Sequence, residues 1–592
     1  MSLPEDPASD ILVDHGEAPR AAAWIYEHSP RALWRLVFRE DNFFLVLSVF
    51  IGVFSGLAVV CFRYAIDWAR LYLLGTGAVL TPMRLLLAPT LAGLVIAFLV
   101  LHFFPGTRGS GVNQTKAALY IYNGQIPFRT AIGKFITAAL AIGSGHSLGP
   151  EDPSLQIGAS LASVLGRKMR LSRDRMRLIA PVGAAAGLAA AFNAPISAVL
   201  FVIEEVIGRW TAGILGSVVL SAVSSVVIMR WFLGSEPLFR IPAVEMTQPS
   251  ELIAYSILGI VGGVAAVVFA SGIGIFRPAF KSLPRWTQYL QPAIAGLLIG
   301  IIAMLGAPQV MGAGYEYIDQ AMHGQFTWQF LAILAGLKIL ATLLSFVSGT
   351  PGGMFAPTLF IGAMLGAAVG GAERLLFPYL TISPGTYALV GMGVLFAGFL
   401  RVPMTSVFMV LEVSGNYSII VPVIVANTFA YVISRSLQPV PIFDLLTRQD
   451  GLELPSMEEL REEDILQVED AMQPIDGLVL DADQTVEKAL QQVDGTSNED
   501  LLVRLSPSGW STISKDHLKS MAAEGKGPAK VGSLLLVPHV PYLHPDLPLE
   551  TALRYVDRWP VVPVVSRANF RQLEGVVSQR SVLERYREFG EG

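Results

Sequence analysis

The stretch GHSLGPEDPSLQIGAS (residues 145–160) places two adjacent carboxylates, Glu151 and Asp152, between two prolines inside an apolar region. The sequence FITAALAIGS before it and LASVLG after it both have the composition of lipid-embedded segments. An ionisable group inside a membrane span is costly unless it is paired, solvated or functional. The stretch therefore predicts a functional or paired site within the membrane.

The same pattern returns in the second half of the chain. EDPSLQIGA (151–159) aligns with FAPTLFIGA (355–363), and Lys134 aligns with Lys338 at the same offset of 204 residues. Farther on, AFNAPISAVLFVIEEV (191–206) aligns with FLRVPMTSVFMVLEVS (399–414). Two homologous membrane halves with interrupted helices are typical of transporter folds whose site lies at the repeat interface. The sequence leaves open whether the repeats are inverted.

Composition agrees with a membrane protein that carries a soluble part. The 592 residues are 53% hydrophobic and only 15% charged, whereas soluble domains carry about a quarter charged residues. The single cysteine, Cys61, excludes an intramolecular disulfide framework and a cysteine-rich metal site, and we interpret it as a packing residue. We expect no cofactor, no nucleic-acid partner and no enzymatic activity, because no basic footprint and no nucleophile–base set stands out.

The ends of the chain are both expected to lie in the cytoplasm. No cleavable signal peptide is predicted, since the first long apolar run begins near Phe43 and is preceded by Arg31, Arg35 and Arg39. RALWRLVFRE (31–40) fits either an amphipathic interfacial helix or an ordinary charged flank. A multi-pass protein of the plasma or inner membrane is expected. Its predicted parts are a cytoplasmic segment (1–40), a membrane domain (41–447, with repeats at about 43–232 and 250–436), a linker (448–467) and a cytoplasmic tail (468–592).

Three helix starts marked by glycine and proline are expected to converge within the membrane. They are RGSGVNQ (108–114), GPEDPSLQIG (149–158) and GGMFAPTLFIG (352–362), and the segments 109–122, 151–166 and 355–372 are short or interrupted. Free backbone N–H groups and the helix dipole at such starts favour an anion. Ser110 offers a hydroxyl donor beside them. The alternative is that the breaks only permit close helix packing.

Two pairs of acids accompany this predicted anion site. Glu151, at a helix start that attracts anions, can occupy the site as a tethered anion and leave it when protonated, which makes it a candidate gate and proton carrier. Glu204 and Glu205 in FVIEEVIGR form the second pair. They fit either a proton path or a helix end at the cytoplasmic surface. Separated acids and an anion site together predict coupled anion/proton exchange.

These motifs resemble those of the CLC family of chloride channels and chloride/proton antiporters. GSGVN (109–113) resembles the family's GSGIP, GPEDP (149–153) resembles GREGP, and GGMFAP (352–357) matches GGxFAP. The resemblance covers about 41–447, and the tail looks like paired CBS domains. It implies an all-α, two-repeat membrane fold with broken helices, plus a small α/β tail. It also implies a homodimer in the lipid bilayer that carries chloride and protons.

The resemblance also implies roles for individual residues. Ser110 would coordinate chloride, Glu151 would be the external gating glutamate, and Glu205 would transfer protons internally with Glu204 beside it. The remaining predicted anion-binding positions are Gly109, Gly111, Gly149, Met354, Phe355, Ala356 and Phe443.

Several positions depart from the family pattern. Pro150 replaces the arginine of GREGP, Asn113 replaces the proline of GSGIP, and Phe443 in PIFDLL lacks the hydroxyl of the family's tyrosine. Asp152 replaces a glycine and is a modulator candidate. It either adds a second charge beside the gate or caps a helix that begins at Pro153, and we favour the cap.

The tail contains two similar closing patterns, WSTISKDHLKS and EGVVSQRSVLE, within about 468–524 and 535–588. They resemble the ends of CBS motifs, and in the nucleotide-binding versions of these motifs a terminal aspartate holds the ribose. His517 and Ser581 stand at those positions here, while Ser514 and Ser578 are kept. We therefore favour a structural or dimer-stabilising tail over one that binds an adenine nucleotide.

The leading prediction is a proton-coupled chloride antiporter. A passive chloride channel of the same fold is the first alternative, favoured by Phe443 and the changed gate motif and opposed by Glu205. The second alternative is a sensor whose tail binds a ligand and whose transport activity is only residual. Ser110 disfavours a preference for fluoride or nitrate.

Overall fold

The computed structural model describes residues 40–590 except 76–80, 209–211, 240–250, 377–382, 453, 456, 458–465, 475–478, 494–499, 506–508, 537–538 and 568–571. The segment 31–39, where an interfacial helix or charged flank is predicted, lies outside these residues. The chain forms two compact units, Met1–Met457 and Glu458–Gly592. The division falls inside the predicted linker.

The first unit is entirely helical in its described part. Its first half consists of α1 (Glu40–Leu73), α2 (Pro82–His102), α3 (Gly111–Tyr120), α4 (Phe128–Ser144), α5 (Glu151–Lys168), α6 (Arg173–Phe192), α7 (Pro195–Phe201) and α8 (Ala212–Leu233). A single π-helical turn, Val202–Ile207, extends α7. Such turns are rare and concentrate at functional sites.

The second half repeats this order of helices. It comprises α9 (Glu251–Lys281), α10 (Gln291–Met304), α11 (Tyr315–Met322), α12 (Trp328–Val347), α13 (Phe355–Leu376), α14 (Pro384–Leu400), α15 (Pro403–Ser414) and α16 (Ile420–Leu437), followed by α17 (Ile442–Gln449). Among the described residues, eight helical segments are long and apolar enough to cross a membrane. One of them is α13, which continues past the predicted end at 372 to Leu376 and is no short segment.

The two halves are related by a local two-fold arrangement. Gly149 and Gly353, which align in the repeat, exchange backbone hydrogen bonds, with N···O distances of 2.8 and 2.9 Å. The equivalent buried lysines hold equivalent loops. Lys134 donates to the carbonyls of Thr107 and Gly109, and Lys338 donates to those of Val310 and Gly312.

Helix packing establishes that the repeats are inverted. Gly93 of α2 lies against Pro292 of α10, and Gly296 of α10 lies against Pro89 of α2, so closely that an added Cβ would come within 2.6 Å of the partner backbone. As the α2 residues run forward from Pro89 to Gly93, their α10 partners run backward. Equivalent helices are therefore antiparallel, and the two halves cross the membrane in opposite senses.

The second unit is a small α/β module. It contains β1 (Val479–Asp481), α18 (Val486–Val493), β2 (Asp500–Arg504), β3 (Trp510–Ser514), α19 (Lys515–Ala523), α20 (Leu549–Val556), β4 (Val561–Val565), β5 (Leu573–Ser578) and α21 (Gln579–Gly590). β1 pairs in parallel with β2, which pairs antiparallel with β3, while β4 pairs antiparallel with β5. Leu543 adds a parallel bridge to Val564, so the second half follows the same plan as the first.

Candidate functional site

The start of α3 gathers hydrogen-bond donors deep inside the helical unit. Ser110 is the N-cap residue, and its hydroxyl oxygen accepts from the backbone N–H of Val112. The same hydroxyl donates to Oδ1 of Asp152 at 2.9 Å. Gly111 N–H donates to Asp152 Oδ2 at 2.8 Å, and Val112 N–H donates to Oδ1 at 3.2 Å. The Asp152 carboxylate thus occupies the anion-attracting end of α3.

This position of Asp152 contradicts the predicted cap. The helix α5 begins at Glu151 with Pro150 as its N-cap residue, so Asp152 lies within the first turn of its own helix. Its carboxylate caps α3 instead. The sequence pattern Asp-Pro describes only the local chain, whereas the donors that bind Asp152 come from a helix 40 residues earlier.

The Glu151 carboxylate lies at the N-terminus of a different helix, α13. Its Oε2 accepts from the backbone N–H of Ala356 at 3.3 Å, at the N-terminus of α13. Its Oε1 is buried and accepts no hydrogen bond from the part of the chain that the structure describes. The three predicted helix starts therefore converge, and two consecutive carboxylates of α5 cover the N-termini of the other two helices.

An apolar wall closes the space between these helix starts. Phe355 lies at its centre, with ring centroids 5.1 Å from Phe201, 5.6 Å from Phe396 and 6.4 Å from Phe443. The space itself is too small for a water molecule, and it is lined by Ser110, Asp152, Phe346, Gly353, Met354, Phe355, Leu400 and Phe443. Phe443 belongs to this wall, and its carbonyl accepts from the side-chain amide of Asn113 at 2.9 Å.

A larger cavity of about 550 Å³ reaches Ser110 and Gly109 from the side where the chain leaves α17. Among the described residues, the charged side chains that line this vestibule are those of Arg108, Arg277, Lys281 and Asp450. The Asp450 carboxylate lies 2.8 Å from Arg277 and 2.5 Å from Lys281. The described part of the lining therefore holds three cations and one anion and is positive. A low-dielectric cleft of one sign raises the local concentration of counter-ions.

Glu205 belongs to a buried charge cluster. Lys116 of α3 lies 2.9 Å from Glu205 Oε1 and 3.2 Å from Asp444 Oδ1 of α17, with the lysine fully buried. Lys116 is the cation that these two buried carboxylates share, so its removal would leave both without a compensating charge in this cluster. Lys116 and Asp444 are not among the predicted site residues, although a lysine within a short membrane helix is a signal that the sequence offers.

Glu204, its neighbour, has a different partner. Its Oε2 accepts from the backbone N–H of Thr405 at 2.8 Å and from the Thr405 hydroxyl, and its Oε1 accepts from Met404 N–H. The repeat-equivalent Glu412 does the same for the first half, accepting from Ile196 N–H and from Ser197. The two glutamates cap each other's helices, α15 and α7. The carboxylate of Glu204 is committed to this cap, and we do not keep it in the proton path.

In the tail, the serines at equivalent positions of the two closing patterns, Ser514 and Ser578, cap helices. The Ser514 hydroxyl accepts from His517 N–H at 3.2 Å, and the Ser578 hydroxyl accepts from Ser581 N–H at the same distance. Ser581 in turn accepts from Ser578 N–H through its own hydroxyl. Each closing pattern thus makes the turn from a strand into a helix.

Comparison with known proteins agrees with this architecture. The family model "Voltage gated chloride channel" matches residues 92–435, and the CBS domain model matches residues 531–588. Relatives include proteins named H(+)/Cl(-) exchange transporter ClcA. That of Salmonella arizonae is 32% identical over 434 residues, covering 70% of this chain and 91% of the relative. That of Salmonella paratyphi B is 32% identical over 418 residues, covering 68% and 87%.

Solved structures lead to the same fold. A slow cyanobacterial Cl⁻/H⁺ antiporter is 28% identical with a TM-score of 0.63, over 69% of this chain and 98% of that one. A eukaryotic CLC transporter, 19% identical with a TM-score of 0.59, covers 91% of this chain and 97% of its own, and supports the fold alone. The chain therefore belongs to the voltage-gated chloride channel (CLC) family, as a multi-pass membrane protein with a CBS domain in its tail.

Proposed function

We propose that the chain is a proton-coupled chloride antiporter, in which Glu151 is the gate and proton carrier, Ser110 binds the anion and Glu205 relays the proton on the inner side. The observation that carries the proposal is the placement of Glu151. A carboxylate at the N-terminus of α13 competes with an anion for the same amide, and its second oxygen has no described donor. A proton on that oxygen would neutralise the group and release it from the helix end.

Two further features support the same assignment. The vestibule that reaches Ser110 has a positive lining, which suits the entry of an anion. The named relatives with 32% identity are H⁺/Cl⁻ exchangers, as is the cyanobacterial protein with 28% identity. We further propose a homodimer with one pathway in each subunit and with both termini in the cytoplasm. The basic stretch GRKMRLSRDRMR (166–177) supports that orientation.

Proton flux into liposomes tests the transport proposal. Purified protein is reconstituted under a chloride gradient with no proton gradient, beside the variants Glu151→Gln and Asp319→Asn. We expect protons to move uphill with the wild type and with Asp319→Asn, a half-exposed carboxylate of α11. Glu151→Gln should lose proton movement and keep chloride flux. Chloride flux without protons in the wild type would instead identify a channel, and no flux of either ion would overturn the proposal.

A further inference from the structure

We propose that Asp152 is a tethered anion that occupies the Ser110 end of the transport site and thereby weakens the binding of the transported anion. The inference rests on the proposed function, because it assigns a role within the same site. It differs from the role of Glu151, since the two carboxylates cover the N-termini of different helices.

The donors that hold Asp152 are those suited to a free anion. One hydroxyl and two backbone N–H groups converge on its two oxygens at 2.8 to 3.2 Å. The side chain is 2% exposed, so water does not compete for these donors. Charge-assisted hydrogen bonds to backbone N–H groups at a helix N-terminus are among the stronger kinds. While the carboxylate remains, Ser110 and the start of α3 cannot serve another anion.

The space beside Asp152 gives a second, independent argument. The enclosure bounded by Ser110, Asp152, Phe355 and Phe443 is too small for a water molecule. An anion that entered it would also meet the negative charge of Asp152 in a poorly screened interior. Occupation of this end of the site therefore requires lining side chains to move, and Asp152 is the lining residue whose charge opposes an anion.

The second repeat indicates that the fold itself does not require the acid. Asp152 aligns with Ala356, and the equivalent helix α11 begins at Tyr315, with Gly314 as an N-cap residue that makes no side-chain cap hydrogen bond. Lys338 still holds the carbonyls of Val310 and Gly312 there. In the first repeat Lys134 holds the loop in the same way, and its Nζ lies 4.0 Å from Asp152 Oδ2. The carboxylate is thus an addition to a loop and helix that form without one.

Chloride titration of the purified full-length protein tests the inference. Calorimetry in chloride-free gluconate buffer compares the wild type with Asp152→Asn, which keeps the shape and removes the charge, and Asp152→Gly, which removes the side chain. We expect the dissociation constant for chloride to fall at least tenfold in both variants. Adding Ser110→Ala to Asp152→Gly should reverse the gain, because the gained binding uses the Ser110 hydroxyl.

A purely structural cap gives the opposite result. Loss of a cap lowers the thermal unfolding midpoint and leaves chloride binding unchanged or weaker, and this outcome would overturn the inference. Asp319→Asn makes the same change in net charge away from the site and should leave the dissociation constant unchanged. Because the titration measures binding alone, an unchanged constant overturns the role of Asp152 whatever the transport result. Chloride flux without protons overturns the antiport and leaves an affinity shift intact.

Discussion

Neighbouring acids in this protein have separate partners, and helix geometry explains why. Successive residues of an α-helix are rotated by about 100°, so side chains at i and i+1 face different neighbours. Glu151 therefore reaches α13 while Asp152 reaches α3. In the second pair, which lies in the π-helical turn Val202–Ile207, Glu204 caps α15 while Glu205 pairs with Lys116. Four acids that look like two equivalent pairs in the sequence have four different surroundings.

We expect substitutions in the second pair of acids to affect different properties, proton transfer at Glu205 and stability at Glu204. We expect Glu205→Gln to reduce proton flux at least tenfold and to keep chloride flux, because its carboxyl is the proposed inner relay. Glu204→Gln should keep the coupling and destabilise the fold by about 1–3 kcal/mol, the usual cost of leaving buried donors poorly paired. Proton and chloride fluxes in liposomes, with thermal unfolding in detergent, measure both effects.

Glu412→Gln is the matched control for this experiment. Its carboxylate caps α7 as that of Glu204 caps α15, so both variants should lower the unfolding midpoint, Glu412→Gln by less because its cap is only partly buried. Loss of proton flux in Glu204→Gln, with normal flux in Glu412→Gln, would return Glu204 to the proton path.

At the level of elements, the sequence predicts where the helices of the site begin but misses most of their partners. Starts at Gly111, Glu151 and Phe355 are marked locally by glycine and proline, and local signals are readable in one sequence. The contacts of Asp152 with α3 and of Lys116 with Glu205 join residues 40 and 89 positions apart. No spacing rule reports such pairs, because they depend on how whole helices pack.

The loop before α5 depends on a glycine at position 149. A Cβ there would lie 2.3 Å from Glu151 Oε2 and 2.7 Å from the Cβ of Ala356. We expect Gly149→Ala to displace the Glu151 carboxylate from the start of α13 and to reduce proton-coupled flux at least tenfold. Gly336→Ala, where no atom lies within 4 Å of the added Cβ, is the control and should transport normally. Equal fluxes in the two variants would contradict this reading of the site.

The whole molecule combines an inverted repeat with a difference between its halves. The two-fold arrangement brings equivalent helix starts together, yet only the first half supplies carboxylates at the α5 position, since Glu151 and Asp152 align with Phe355 and Ala356. The repeat could be read from aligned Lys, Gly and Pro residues. Its inversion could not, because relative orientation is a property of the folded chain, seen in the antiparallel packing of α2 against α10 and in the antiparallel Gly149–Gly353 bridge.

The tail should fold without the membrane unit. Its two hydrophobic clusters, one around Leu480, Leu502 and Val503 and one around Val562 and Val577, are built from its own residues. We expect the fragment 458–592 to unfold cooperatively in circular dichroism, as an independent domain does. Millimolar ATP should leave its midpoint unchanged, since Ser514 and Ser578 already cap helices. A rise of the midpoint with ATP would instead identify a nucleotide-binding module.

The reciprocal caps of Glu204 and Glu412 also impose an order on biosynthesis. The amide and hydroxyl that satisfy Glu204 belong to Thr405, 201 residues later in the chain. At translation rates of about 5–20 residues per second, they leave the ribosome roughly 10–40 s after Glu204 does. During that interval, the Glu204 carboxylate and the N-terminus of α7 both lack their final partners, because these partners belong to the second half of the chain.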